Sequence, residues 1–163
     1  MPRILDITYS LQDIGSPIAI ILKHFERHPE KQEWRIGVSG ELGTGKTTLF
    51  QKFLSALSTG DSTLAGTPAE AKGQSPTYVY LKSYEGDRYC VWHVDAYRLA
   101  PKIWKEILST WEEETGKRKY ILWVEWYDLI ADDVTDLSIQ LSFTPDSITD
   151  QRQLCIKTPT GLV

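Results

Sequence analysis

The eight residues from Gly40 to Thr47 constrain this chain more than any other part of its sequence. They read Gly-Glu-Leu-Gly-Thr-Gly-Lys-Thr and fit the pattern G-x-x-x-x-G-K-[ST] at every position. Glycines let backbone N–H groups turn inward around a phosphate group, because no Cβ stands in the way. Lys46 brings a positive charge to the β- and γ-phosphates, and Thr47 offers a hydroxyl to Mg²⁺. The motif therefore predicts a loop that binds the phosphates of a nucleotide.

Such a loop works only between a strand and the start of a helix, and the neighbouring sequence predicts both. Residues 34–38 read as a short strand, and residues 46–57 carry apolar side chains at helical spacing. The same spacing predicts helices over residues 16–26 and 101–114. Alternation with period two predicts a hairpin from residues 77–84 and 88–94 and two last strands, 137–143 and 152–157. The run 120–126 is almost continuously apolar, which is typical of a strand buried on both faces.

Strands and helices that alternate in this way predict an α/β fold. We expect a P-loop NTPase-like three-layer sandwich with a mostly parallel central sheet and an antiparallel C-terminal hairpin. The chain has 163 residues, which suits a single domain over residues 1–163. Residues 58–75 are rich in Gly, Ser, Thr, Ala and Pro, and we expect them to form a flexible loop.

Composition and charge exclude several functions. Against 22 Asp and Glu there are 18 Lys and Arg, a net charge of −4, so no basic field would hold nucleic acid in general. The apolar run 18–22 is far shorter than the ~18 residues of a membrane span. No charged-then-apolar leader pattern is present, so we expect a cytoplasmic protein without a membrane partner. Cys90 and Cys155 lie in alternating apolar stretches and are expected to be buried free thiols.

The sequence also narrows the choice of nucleotide. It contains no asparagine, so it cannot carry the Asn-Lys-x-Asp loop that reads guanine. Its seven arginines are scattered, and no arginine-rich lid of the kind that small-molecule kinases use is visible. Adenine nucleotide is therefore favoured by elimination.

Acidic and hydroxyl side chains follow other predicted strands. Glu125 ends the buried strand, where a charge is costly unless a metal ion or hydrogen bonds compensate it, so we expect it to serve Mg²⁺. Asp95 follows His93 at the end of another strand and could order a metal-bound or attacking water. Arg98 either contacts phosphate or a partner, or forms a surface ion pair. Thr77 is a candidate hydroxyl for the γ-phosphate, with a strand-entry turn as the alternative interpretation.

Four motifs, taken in order, resemble the TsaE (YjeE) family, the bacterial ATPases of the tRNA N6-threonylcarbamoyladenosine pathway. They are Gly-Glu-Leu-Gly-Thr-Gly-Lys-Thr-Thr, Ser-Pro-Thr-Tyr, His-Val-Asp-Ala-Tyr-Arg-Leu and Val-Glu-Trp, and they lie within residues 36–130. The resemblance implies a compact P-loop fold, ATP and Mg²⁺ as cofactors, and slow intrinsic hydrolysis. It also implies action on a TsaB–TsaD pair, in which TsaD modifies adenosine 37 of tRNAs that read ANN codons. Contact with tRNA would be indirect, through that complex.

The resemblance also implies a role for individual residues. The catalytic set would be Lys46, Thr77, Asp95 and Glu125. The nucleotide-binding set would be Glu41, Leu42, Gly43, Thr44, Gly45, Lys46, Thr47, Thr48, Trp126 and Ser10. Thr47 and Glu125 would hold the metal.

Three positions depart from the pattern of the family. Tyr127 stands where the family usually has Pro, and Leu11, beside Ser10, stands where many members have Thr. The loop 58–74 is longer than the family norm. The first two departures concern the base side of the site, and none of the three concerns phosphate or metal chemistry.

Two other functions are compatible with the phosphate-binding loop. One is a small P-loop kinase that phosphorylates a metabolite or a nucleoside. The other is a nucleotide-gated assembly module that does not hydrolyse its nucleotide and controls partner contact by occupancy alone.

Overall fold

A computed structural model describes residues 3–64, 80–113, 117–130, 135–144 and 150–158. Its strands are β1 (Arg3–Ser10), β2 (Glu33–Gly40), β3 (Leu81–Glu85), β4 (Tyr89–Asp95), β5 (Lys119–Glu125), β6 (Leu137–Phe143) and β7 (Gln151–Thr158). Its helices are α1 (Gly15–Glu26), α2 (Lys46–Ser58) and α3 (Pro101–Glu113). Single 3-10 turns follow β1 at Leu11–Asp13 and β5 at Tyr127–Leu129.

All seven strands form one sheet in the order β1-β7-β6-β2-β5-β4-β3. The four central strands, β6, β2, β5 and β4, run parallel to one another. Strands β3 and β7 are antiparallel to the strands beside them, and β1 pairs antiparallel with β7. The predicted mostly parallel sheet with an antiparallel C-terminal hairpin is confirmed. Because parallel strands end at one edge, the loops after β2, β4 and β5 meet there, where α/β sheets bind ligands.

Helices cover both faces of the sheet, which produces the predicted three layers. On one face α1 and α2 bury a core that includes Ile21, Phe53 and Trp123. On the other face α3 buries Trp104 and Trp111 against the sheet. Strand β5 is buried from Tyr120 to Glu125, with its apolar residues alternating between the two cores, as its continuous apolar sequence predicts.

Strand β1 is an element that our sequence analysis did not predict. Leu5, Ile7 and Tyr9 alternate with the exposed Asp6 and Thr8, so the period-two signal was present in the sequence. Strand β1 then continues directly into the turn at Leu11–Asp13. The helical spacing of the apolar residues in α1 is the stronger pattern in this part of the sequence, and the strand before it was not predicted.

A buried aspartate ties the end of α2 to the β3–β4 hairpin. The Asp61 carboxylate accepts hydrogen bonds from the backbone N–H groups of Arg88 (2.8 Å) and Tyr89 (3.1 Å). It also accepts a hydrogen bond from the Thr63 hydroxyl. A Cβ at Gly86 would collide with the Asp61 carboxylate, which explains the glycine in the hairpin turn. Residues 58–64, the start of the segment expected to be flexible, are thus anchored, and residues 65–79 lie outside the described part.

Two smaller expectations can be compared with the structure. Cys90 is buried, but Cys155 is only half-buried, so the expectation of two buried thiols is wrong for Cys155; neither cysteine forms a disulfide with the other. Burial and the neighbouring Asp6 raise the pKa of Cys155. In the described ranges no helix has the length and apolar character needed to cross a membrane.

Candidate nucleotide-binding site

The loop between β2 and α2 adopts a conformation that its glycines make possible. Gly40 has a φ of +150° and Gly45 a φ of +101°, both in the region that residues with a Cβ avoid. A Cβ at Gly40 would also lie 2.6 Å from the carbonyl oxygen of Leu141 on β6. The loop is therefore shaped by backbone, and its N–H groups are not blocked by side chains at these positions.

The start of α2 has no side-chain cap. Gly45 is the N-cap residue, and the hydroxyl of Thr44 before it donates to the carbonyl oxygen of Glu41 at 2.8 Å. The first N–H groups of a helix lack partners within the helix and carry its positive dipole end. With no side-chain oxygen on them, these groups are suited to an anionic phosphate.

Lys46 is held inside the loop. Its Nζ donates to the carbonyl oxygens of Gly40 (2.7 Å) and Glu41 (2.9 Å), and it lies 3.8 Å from the centre of the Trp126 ring. Burial lowers the pKa of Lys46, while the negative charge of nearby Glu125 acts in the opposite direction. An ammonium group has three N–H donors, so two carbonyls leave one for a phosphate oxygen.

A chain of hydrogen bonds connects the exposed Thr47 of the loop with buried side chains at the ends of β4 and β5. The Thr47 hydroxyl donates to Glu125 Oε2 at 2.9 Å, and Glu125 Oε1 lies 2.8 Å from His93 Nε2 on β4. Glu125 is only 3% exposed. The His93 ring stacks on Phe50 of α2 with the ring centres 3.9 Å apart, which fixes its orientation. The structure thus joins the two residues expected to bind a metal, and adds His93, whose contact with Glu125 the sequence did not indicate.

Asp95 lies at the edge of this site. It is paired with Glu125 in the β4–β5 register, but its side chain is exposed and accepts a hydrogen bond from the Tyr97 N–H at 3.0 Å. The neighbouring Arg98 is exposed and has a φ of +63°. Asp95 therefore faces solvent beside the phosphate loop, in a position to contact a water.

Trp126 and Tyr127 leave β5 in different directions. Trp126 takes a left-handed conformation, with a φ of +58°, and turns its ring toward Lys46 and Tyr97. The predicted strand 120–126 therefore ends one residue too late. The Tyr127 ring lies against Gly37 of β2, where a Cβ would approach its Cγ to 2.5 Å. Tyr127 thus packs on the face of the sheet that α3 covers.

The segment after β1 lies beside the phosphate loop. Leu11 Cδ2 is 4.0 Å from the position that a Cβ on Gly45 would take. Ser10 donates a hydrogen bond from its hydroxyl to Asp13 at 2.9 Å. Leu11 therefore stands near the loop and Ser10 precedes it in the chain, while Thr77 lies outside the described residues.

Arg152 on β7 is a residue that our sequence analysis missed. Its Nε donates to the carbonyl oxygen of Thr44 at 3.3 Å, although the two residues are 108 positions apart. The available signal was the alternation of Arg152, Leu154 and Ile156, which places a charged residue on the inward face of a strand.

This donor set fits a magnesium nucleotide. A hydroxyl and a carboxylate are hard oxygen ligands of the kind that Mg²⁺ prefers. Within the described ranges, no group of three or more His, Cys, Asp or Glu side chains could hold a metal ion by itself. A cation between Thr47 and Glu125 would therefore complete its shell with phosphate oxygens and water, as is usual for Mg²⁺.

The fold and this site define a class of protein: a nucleotide-binding α/β domain with a P-loop. The model of the family described as threonylcarbamoyl adenosine biosynthesis protein TsaE matches residues 10–154. The chain belongs to the TsaE family, which consists of P-loop ATPase-type proteins of tRNA modification. It is also similar to the crystal structure of YdiB from Bacillus subtilis, with a TM-score of 0.62 and 21% identity over 97% of this chain and 87% of that chain. At that identity the likeness supports the fold alone.

Proposed function

We propose that this chain is a Mg²⁺-dependent ATPase with low intrinsic activity that acts on a TsaB–TsaD complex. That complex would carry out the N6-threonylcarbamoylation of adenosine 37 in tRNAs reading ANN codons. The observation that carries the ATPase part is the 2.9 Å hydrogen bond between Thr47, at the start of α2, and the buried Glu125, at the end of β5. The family described for residues 10–154 supports the pathway.

Each side chain has a role in this proposal. The loop N–H groups and Lys46 bind the phosphates, and Thr47 and Glu125 hold Mg²⁺. Mg²⁺ held there would supply positive charge that stabilises the phosphate oxygens as the terminal phosphate is transferred to water. Asp95 orders a water at the edge of the site, and Trp126 forms a wall beside Lys46. Ser10 and Thr77 are proposed contacts of the base side and the γ-phosphate.

His93 acts through Glu125 in this scheme. A carboxylate that is 3% exposed would be costly without hydrogen bonds. His93 occupies Oε1 and Thr47 occupies Oε2, so the plane of the carboxylate is fixed before any metal ion arrives. Such fixed second partners orient a metal ligand in many proteins.

The function in the pathway is tested by reconstitution. Purified chain, TsaB and TsaD are combined with an unmodified ANN-decoding tRNA, the threonylcarbamoyl donor and ATP, and modified nucleoside is measured over many turnovers. We expect modification to stop after about one turnover of the complex when the chain is left out or when ATP cannot be hydrolysed. Equal multiple-turnover modification without the chain would refute the proposed function. A cytoplasmic location follows from this role.

A Glu125→Ala variant separates hydrolysis from simple gating. We expect it to bind ATP, to release phosphate at least 10²-fold more slowly, and to fail in repeated modification cycles. If it supports those cycles without hydrolysis, the protein is a nucleotide-gated assembly module instead. Transfer of labelled phosphate from ATP to a metabolite or nucleoside, rather than to water, would establish the kinase alternative.

A further inference from the structure

Arg152 occupies a position where the pattern of the strand calls for an apolar side chain. Arg152, Leu154 and Ile156 point to the same face of β7, and Leu154 and Ile156 are 0% and 1% exposed in the core under α1 and α2. Arg152 itself is only 8% exposed. Placing a guanidinium at such a position costs free energy unless its N–H groups find acceptors.

The hydrogen-bond acceptors of Arg152 show which parts of the structure its guanidinium group contacts. One N–H group contacts the backbone carbonyl of Asp150 at 2.9 Å, and the same nitrogen forms an ion pair with the Asp150 carboxylate at 2.6 Å. Nε donates to the Thr44 carbonyl at 3.3 Å. Asp150 is exposed and belongs to the same hairpin, so it orients the arginine, whereas Thr44 belongs to the phosphate loop.

The contact falls between two glycines of the loop that have positive φ angles. Thr44 is fully buried, between Gly43 with a φ of +80° and Gly45 with a φ of +101°. Arg152 Nε lies 3.9 Å from the position of a Cβ on Gly45. Glycine has more backbone conformations in the unfolded chain than any other residue, so holding a glycine-rich loop in one conformation costs more conformational entropy. A contact from outside the loop offsets part of that cost.

We propose that Arg152 is a positioning residue of the nucleotide site, which fixes the Thr44 carbonyl and thereby keeps the phosphate loop in its binding conformation. The C-terminal hairpin of β6 and β7 is then a structural part of the site. This inference rests on the proposed nucleotide binding, and it deepens it by adding a residue that contacts the loop and not the nucleotide. Preorganisation of this kind raises affinity without a new ligand contact.

Nucleotide affinity is the first test. Binding of ADP with Mg²⁺ is measured by titration calorimetry for the wild type, Arg152→Gln and Arg35→Gln. Arg35 is a matched control, because it is a mostly buried arginine with an ion pair to Glu33, near the opposite end of β2. We expect affinity to fall about tenfold in Arg152→Gln, the effect of losing one hydrogen bond of a charged group, and to stay unchanged in Arg35→Gln.

The second test needs no nucleotide. Hydrogen exchange of the loop peptide over residues 40–47 is measured in the free protein, with Arg152→Lys as a variant that keeps the charge but not the planar fork. We expect faster exchange of this peptide in both Arg152 variants, and no change in the peptide of α3. Because Arg152→Lys keeps a cation at the position, it also serves where Arg152→Gln does not fold.

The outcomes separate this inference from the proposed function. If the wild type does not bind ADP or ATP, the proposed function fails, and the exchange measurement alone decides whether Arg152 holds the loop. If the wild type binds but the Arg152 variants bind equally well, the positioning role is refuted. An equal loss in Arg35→Gln would also refute it, because the effect would then follow from general destabilisation.

Discussion

Replacement of Asp61 by Ala tests whether this carboxylate stabilises the contact between the end of α2 and the β3–β4 turn. The carboxylate is 4% exposed and accepts hydrogen bonds from Thr63, Arg88 and Tyr89. Two of these bonds join residues 27 and 28 positions apart, so they fix the end of α2 to the β3–β4 turn. Hydrogen bonds of a charged group contribute about 1.5–3 kcal/mol each, and water replaces part of them in the variant. We expect a loss of about 2–4 kcal/mol in the free energy of unfolding.

Such a loss would lower the melting temperature by on the order of 10 °C for a chain of this size. Thermal unfolding followed by circular dichroism at pH 7 measures it. Asp87→Ala is the control, since Asp87 is an exposed aspartate in the same turn, and its replacement should change the melting temperature by less than about 2 °C. A melting temperature of Asp61→Ala within that margin of wild type would refute the reasoning.

Acid provides an independent measurement of the same contact. Burial alone would raise the pKa of Asp61, but its hydrogen bonds outweigh burial and lower the pKa to about 2, from 3.8. The charged carboxylate therefore contributes its full stabilisation above about pH 4, and this contribution is lost as the pH falls toward 2. We expect the stability difference between wild type and Asp61→Ala to shrink over that interval. A difference that stays constant from pH 5 to pH 2 would show that the carboxylate charge is not what holds the turn.

Three further substitutions address the site. Lys46→Ala should abolish measurable binding of ATP by calorimetry, because Lys46 is the cation that the loop itself supplies; near-normal affinity would contradict its role. Asp95→Ala should keep the fold and ATP binding while phosphate release falls about 10²-fold, and an unchanged rate would reduce Asp95 to a turn residue. Gly37→Ala should cost about 1–3 kcal/mol by thermal unfolding, because its Cβ would press on the Tyr127 ring. Combining it with Tyr127→Ala should recover part of that loss, and an equal loss in the double variant would point to the backbone of β2 instead.

The parts of the fold that the sequence predicted best are those whose signal is local. Strand β5 and the helices were recognised because burial on both faces, or on one helical stripe, leaves a pattern within a dozen residues. The phosphate loop was recognised because its chemistry requires glycines and a lysine at set spacing. The pairing of β1 with β7, by contrast, joins residues 3–10 to residues 151–158, and no local pattern records such a partner.

The same distinction between local and long-range signals applies to the candidate site. Thr47 and Glu125 were each predicted from their own motif, and the parallel register of β2, β5 and β4 then brings their side chains within 2.9 Å. What the motifs could not show is which neighbours hold those side chains still. His93 reaches Glu125 because β4 lies directly beside β5, a fact of strand order that the sequence does not state.

Arg152 extends this argument to the backbone of the loop. A motif records the residues that contact the ligand, since their chemistry restricts which types can serve. A residue that donates a hydrogen bond to a backbone carbonyl can come from any strand that passes close enough. Arg152 is such a residue, and it therefore belongs to no motif. Its sole trace in the sequence is a charge at an inward position of β7, opposite Tyr9 of β1. A buried charge that breaks the apolar pattern of a strand is therefore a signal worth following in the sequence, because the free energy that it costs has to be offset by a contact elsewhere in the fold.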